Sequence, residues 1–169
     1  SVTGVQTCAL PICMAADAQS RYLEALVSAE TGGVVRVASI YAPNGNPVDS
    51  PKYPYKLAFM EALTAHAAAL LKLEEATALI GDYNIIPDAR DVYDPAAWAQ
   101  DALFRPQSRA AFQRLINLGY VDALRAVTDA SGLYTFWDYQ AGAWPKNLGL
   151  RIDHLLLRSE EHTSELQSD

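Results

Sequence analysis

The chain has 169 residues, an apolar half, and 20 acids against 13 Lys and Arg, for a net charge of −7. That is enough apolar material for one packed domain, and no apolar run is long enough to span a bilayer, which predicts a soluble protein. The acidic balance excludes nucleic-acid affinity resting on overall charge, since such affinity usually comes from Lys and Arg meeting phosphates; a local basic patch remains compatible with it.

The two ends read as something other than native protein. Val2 to Ile12 is encoded by the reverse complement of a standard short-read sequencing adapter, and Arg158 to Ser168 by the same adapter in forward orientation. A secretory signal does not fit the head, which has no basic n-region and an apolar run interrupted by Pro11. The chain therefore divides into adapter-derived residues 1–13, an interior fragment of one domain over 14–157, and adapter-derived residues 158–169. Over 14–157, 12 basic and 16 acidic residues leave a charge of −4. Cys8 lies in the head and Cys13 at its edge, so the interior says nothing of redox compartment.

Residues 17–29 show partial helical spacing at Tyr22, Leu23 and Leu26, with an extended alternative, before a β-rich run at 34–41 that enters the turn Ala42-Pro43-Asn44-Gly45-Asn46. Residues 52–73 read as an amphipathic helix with Leu57, Met60, Leu63, Leu70 and Leu71 apolar and an Ala-rich filling. His66 within it reads as a surface or packing residue. Residues 78–80 form a short buried strand, and 87–95 a polar loop with Asp88, Arg90, Asp91 and Asp94. A second helix spans 106–118, with Pro106 in its first turn and Gly119 just past its end. Phe104, Phe112, Leu115, Ile116 and Leu118 read as core, and 121–124 as a connector. Strands at 134–139 and 150–157 close the pattern. Strands alternating with helices, without repeats, predict one α/β domain.

The chemistry concentrates where the strand at 78–80 ends. Gly81 lets the backbone turn there, and alternation on the extended exit points Asp82 and Asn84 to one side. A carboxylate can hold a metal or take a proton from water, and a carboxamide can donate to a phosphoryl oxygen. The same pair also suits an ordinary turn after a strand. Asp153 stands inside an apolar strand, and a buried carboxylate calls for a cationic partner.

Four segments, Tyr41-Ala42-Pro43-Asn44-Gly45, Gly81-Asp82-Tyr83-Asn84, Tyr134-Thr135-Phe136-Trp137-Asp138-Tyr139 and Arg151-Ile152-Asp153-His154, occur in the order and rough spacing found in exodeoxyribonuclease III. Between Met14 and Leu157 the chain thus resembles the abasic-site endonucleases and exonucleases of the endonuclease/exonuclease/phosphatase superfamily. The resemblance implies an α/β fold, part of a four-layer α/β/β/α sandwich. It implies a Mg²⁺-dependent DNA phosphodiesterase, with Mn²⁺ as an alternative ion, acting in base excision repair on double-stranded DNA with abasic sites or 3′ ends. It also implies a monomer in the bacterial cytoplasm.

Carried over by the resemblance, Asp82 orients or deprotonates the attacking water and Asn84 stabilises the transition state, both helping to hold the metal. Tyr41 places its hydroxyl at the scissile phosphate, Asn44 contacts a neighbouring phosphate, and Asp153 orients a catalytic histidine. That histidine is not His154, whose side chain belongs to the other face of its strand. Phe136, Trp137, Leu150 and Ile152 resemble the apolar wall that receives a flipped base-less sugar; ordinary sheet core is the alternative for all four. Lys146 and Arg151 are candidate phosphate contacts, though exposed basic residues commonly do nothing specific. The family's metal-holding Asn and Glu and its Ser-Asp-His motif have no counterpart here, so the chain as written is expected to be inactive and poorly folded. Two other readings are a superfamily member acting on a phosphoinositide, sphingomyelin or RNA, and a non-catalytic remnant of the fold.

Overall fold

A computed structural model describes residues 6–8, 19–28, 33–139 and 142–159. Its strands are β1 (Gln6–Cys8), β2 (Tyr22–Ser28), β3 (Val34–Tyr41), β4 (Ala76–Asp82), β5 (Tyr120–Asp122), β6 (Phe136–Trp137), β7 (Gly149–Leu150) and β8 (Asp153–Arg158). The helices are α1 (Lys52–Leu71), α2 (Pro95–Trp98), α3 (Pro106–Ile116) and α4 (Ala123–Val127), with a 3₁₀ turn at Ala89–Asp91. Six strands form one sheet in the order β1-β2-β3-β4-β8-β5, and β6 and β7 form a separate ribbon. β3 and β4 run parallel with α1 as their crossover, while the other pairs are antiparallel.

Alternation sorts the large sheet into two faces. Tyr22, Ala38, Ile40, Leu79 and Leu156 are buried beneath Phe59, Met60, Leu63, Ala67 and Leu70 of α1 and Ala111, Phe112 and Leu115 of α3. On the opposite face Leu23, Tyr41, Ile80, Leu155 and Leu157 are exposed. A smaller core joins Tyr53, Ile86, Val92, Leu103 and Phe104 to Leu150 and Ile152, and so fastens the ribbon to the loops that leave β4.

Several sequence expectations change. Residues 22–28 are strand throughout, because pairing with β3 from Tyr22↔Ile40 to Ser28↔Val34 overrides the partial helical spacing. The connector at 121–124 is divided between β5 and α4, with Asp122 accepting from Leu124 N and Arg125 N as the helix cap. The strand expected at 134–139 is only Phe136–Trp137. The one expected at 150–157 is broken at Arg151-Ile152, where the Thr135 hydroxyl accepts from the amides of Ile152 and Asp153. Gln6–Cys8, from the head left out of the fold by the sequence reading, pairs with Glu24–Leu26. Residues 1–5, 9–13 and 160–169, the remainder of the two adapter-like tails apart from Arg158 and Ser159, lie outside the described residues, as do 14–18 of the interior fragment.

Candidate active site

Three adjacent strands end together. The register pairs Tyr41 with Asp82 and Asp82 with Asp153, so the three side chains form one row on the open face of the sheet. One residue earlier, Ile40, Gly81 and His154 form the matching row on the covered face. Gly81 belongs to the strand itself, with φ +142°, and a Cβ there would meet the Ile40 carbonyl oxygen at 2.0 Å. The glycine thus serves the close approach of β3 and not the turn anticipated from sequence.

Asp82 and Asn84 do face one another, by a different route from extended alternation. Asn84 has φ +49°, in the left-handed region that Asn tolerates better than most residues. Its backbone N–H donates to Asp82 Oδ1 at 2.7 Å and its Nδ2 donates to Asp82 Oδ2 at 3.2 Å and to the Ala42 carbonyl at 2.8 Å. Asn44 Nδ2 donates to Asn84 Oδ1 at 3.2 Å, and Asn44 Oδ1 accepts from Asn46 N. Asn84 is therefore a buried bracket that sets both oxygens of Asp82, with one lone pair of its own Oδ1 left over. Burial raises Asp82 to about 6. The Asn84 amide pulls it down, the Asp153 carboxylate pushes it up, and Lys56 lowers it again.

Asp153 is exposed, which overturns its reading as a buried acid in need of a cation. The buried neighbour is His154, whose Nε2 meets the Ile85 carbonyl at 2.8 Å and whose ring packs on Tyr83 and Phe112. Burial, followed by the charge of Arg151, lowers His154 to about 4. Arg151 is equally internal, at 1% exposure, so it is unavailable to a phosphate. Its guanidinium binds Asp91 through Nε and Nη2 at 2.7 and 3.1 Å and Asp122 through Nη1 at 2.8 Å.

Tyr41 is 59% exposed, with the Arg21 guanidinium 5.2 Å from its ring centroid. Phe136 is 40% exposed, whereas Leu150 and Ile152 are 2% and 4% exposed and sit in the smaller core. The proposed wall thus has Phe136 at the surface, Trp137 half-buried against Trp144 at 4.4 Å between ring centroids, and the two aliphatic residues behind them.

Lys56 was missed by sequence reading. It is fully buried on α1 and donates to the carbonyls of Asn44 (3.0 Å), Asn84 (2.5 Å) and Ala102 (3.0 Å). Burial lowers it to about 7, while Asp101 and Asp82 draw it back up. The signal was a lysine within the stripe Tyr53, Met60, Leu63, Ala67 and Leu70 that α1 buries.

An α/β sheet whose strand ends align a tyrosine and two acids, braced by paired asparagines, defines the class of domain. The profile of the Endonuclease/Exonuclease/phosphatase family matches residues 11–169, and the chain belongs to that family. It is 34% identical over 126 residues to an exodeoxyribonuclease of Bacillus subtilis, covering 73% of this chain and 48% of the relative. Exodeoxyribonuclease III of Haemophilus influenzae is 30% identical over 149 residues, covering 83% and 55%. Among solved structures, a 3′ phosphatase from Neisseria bound to product DNA hairpin matches with a TM-score of 0.85 and 34% identity, over 95% of this chain and 61% of that one. The chain spans about half the length of these curated relatives.

Proposed function

We propose that this chain carries part of the active site of a metal-dependent phosphodiesterase acting on duplex DNA. It would cleave 5′ to abasic sites and remove nucleotides from 3′ ends, as a monomer in a bacterial cytoplasm. The observation that carries the reading is the row Tyr41–Asp82–Asp153 with Asn84 bracketing Asp82. Asp82, raised to about 6, has the basicity to take a proton from water near neutral pH. Tyr41 offers an exposed hydroxyl on the same face, and Asn44 an exposed amide at its rim. Phe136 and Trp137 supply the apolar surface for a base-less sugar, backed by Leu150 and Ile152.

The donor set suits a hard divalent ion. Two neighbouring carboxylates and an amide oxygen are all-oxygen ligands, and like charges side by side favour a cation between them. Among the described residues no group of three or more His, Cys, Asp or Glu could hold a metal, so Asp82 and Asn84 would bind an ion that keeps several waters, as Mg²⁺ does and Mn²⁺ can. When bound, such an ion neutralises charge on the phosphate and leaving oxygen. Asp153 would orient a histidine, but His154 points to the opposite face. The described residues therefore lack that part of the machinery, and the chain by itself is expected to be inactive as a nuclease.

The test has two arms. Titrating this chain with Mn²⁺ should broaden the NMR signals of Asp82, Asn84 and Asp153 before all others, and uniform broadening would count against the site. The full-length product of the gene should nick an abasic duplex with Mg²⁺ and not with EDTA. Release of a phospholipid headgroup in place of nicking would move the reading to another phosphodiester.

A further inference from the structure

A lysine with no exposed surface is rare unless its charge is matched. Lys56 makes no ion pair among the described residues; its three acceptors are backbone carbonyls, the number an ammonium can serve. Those carbonyls come from three separate segments: the turn after β3, the turn after β4, and the loop before α3. The first and third are tied a second time, by Asn46 Nδ2 donating to both oxygens of Asp101 at 3.1 Å and Ala102 N donating to Asn46 Oδ1 at 3.2 Å. Gly45 leaves room for the lysine stem: with φ +91°, a Cβ there would lie 2.7 Å from Lys56 Cδ.

We infer that Lys56 is the positioning residue of this site, its ammonium holding the backbone of Asn44 and Asn84 so that their paired amides aim Asp82. The Asn84 carbonyl it grips belongs to the left-handed residue whose own N–H and Nδ2 fix the two oxygens of Asp82. Released from Lys56, that residue has a route back to the commoner right-handed backbone, and both hydrogen bonds to Asp82 would be lost together. Any catalytic consequence rests on the nuclease reading; the positioning itself does not.

The experiment uses the chain without substrate or metal, so it stands or falls separately from the nuclease reading. In ¹⁵N/¹³C-labelled wild type, the Lys56 ammonium should exchange slowly with water and show couplings across hydrogen bonds to the carbonyl carbons of Asn44, Asn84 and Ala102. Lys56→Met should speed exchange of the Asn84 backbone amide by about tenfold or more beyond that in Leu63→Ala, a core variant of the same helix, since local opening and global stability are separable. Lys56→Arg, which keeps donors at that point, should recover part of the protection. A fast-exchanging ammonium without couplings overturns the inference. So does a folded Lys56→Met chain with Asn44 and Asn84 signals like those of wild type. Where Lys56→Met does not fold, the wild-type couplings decide.

Discussion

Asp91 and Asp82 are both partly or wholly removed from water, and their surroundings treat them in opposite ways. Burial alone would raise Asp91, but Arg151 and Arg125 hold it below the usual carboxylate range; its Oδ1 meets both Arg151 Nε at 2.7 Å and Arg125 Nη2 at 2.5 Å. Asp82 has two amide donors from Asn84 and, across the strand pair, another carboxylate, and it is raised to about 6. The first acid is neutralised where it stands. The second is oriented without being neutralised, the condition of a group that awaits a cation or a proton.

The largest effect should come from breaking the neutralised cluster. Asp91→Asn leaves Arg151 buried with Asp122 as its remaining carboxylate, and removing one partner of a buried pair typically costs about 3 to 5 kcal/mol. Urea unfolding at pH 7 should show a loss of that size. The double replacement Asp91→Leu with Arg151→Met should recover part of it, because apolar groups of similar volume remove the stranded charge. Equal losses in the single and double variants would mean that packing, and not charge pairing, dominates there.

A pH dependence follows from His154 beside that cluster. Its folded value, about 4, lies below the ordinary 6.5. Above 6.5 both folded and unfolded chains are neutral at this ring. As the pH falls towards 4 the unfolded chain takes up a proton that the folded one refuses, so stability declines, by on the order of 3 kcal/mol in all. Asp82 works the other way in part of that window: its raised value favours the folded state increasingly as the pH falls from about 6 through 3.8. Measuring unfolding midpoints from pH 7 to 4 in an Asp82→Asn background removes that opposing contribution, and adding His154→Gln should make the slope shallower, the difference between the two variants being the histidine's share.

How much of this was legible beforehand differs between the two acids. Asp82, Asn84, Tyr41 and Asp153 could be read from short segments, since a strand ending in an acid and an amide is a local pattern. Their alignment in one row could not, because strand register depends on partners 41 and 71 positions away (Tyr41↔Asp82 and Asp82↔Asp153). The two long helices, α1 and α3, were legible to within two residues at their ends, as the apolar spacing and Pro106 suggest, while the short α2 and α4 were not read as helix. The Asp91–Arg151–Arg125–Asp122 cluster was not legible at all. Its members look like loop and surface residues in sequence, and only the break between β7 and β8 turns Arg151 inward. Asp153 was misjudged for the same reason: flanking apolar residues indicate a strand but not which face an acid takes, and Leu155 and Leu157 share its open face.

Asp82→Asn is expected to have the opposite sign to Asp91→Asn. At pH 7 it removes a charge from a half-buried place beside another acid. After allowance for screening by water, the gain in stability should be about 1 kcal/mol or less. The same variant should abolish selective Mn²⁺ broadening at Asn84. A destabilised Asp82→Asn chain would show that the carboxylate is held by its surroundings as firmly as Asp91, and would dissolve the distinction between the two.

The smallest and sharpest effect belongs to Asp153→Asn. Asp153 is exposed, and surface substitutions usually change stability by about 0.5 kcal/mol or less, so the unfolding midpoint should hardly move. The titration of Asp82 should move. Asp153 contributes one of the two upward influences on that group, the other and larger being burial. In metal-free buffer, the ¹³C titration of the Asp82 carboxyl should therefore shift down from about 6 while remaining above the ordinary 3.8. A downward shift, with the small gain in stability at pH 7 that linkage attaches to it, requires the two carboxylates to sense each other across the β4–β8 pair. An unchanged titration would mean that they do not share a site, and a metal position spanning both strand ends would lose its electrostatic basis.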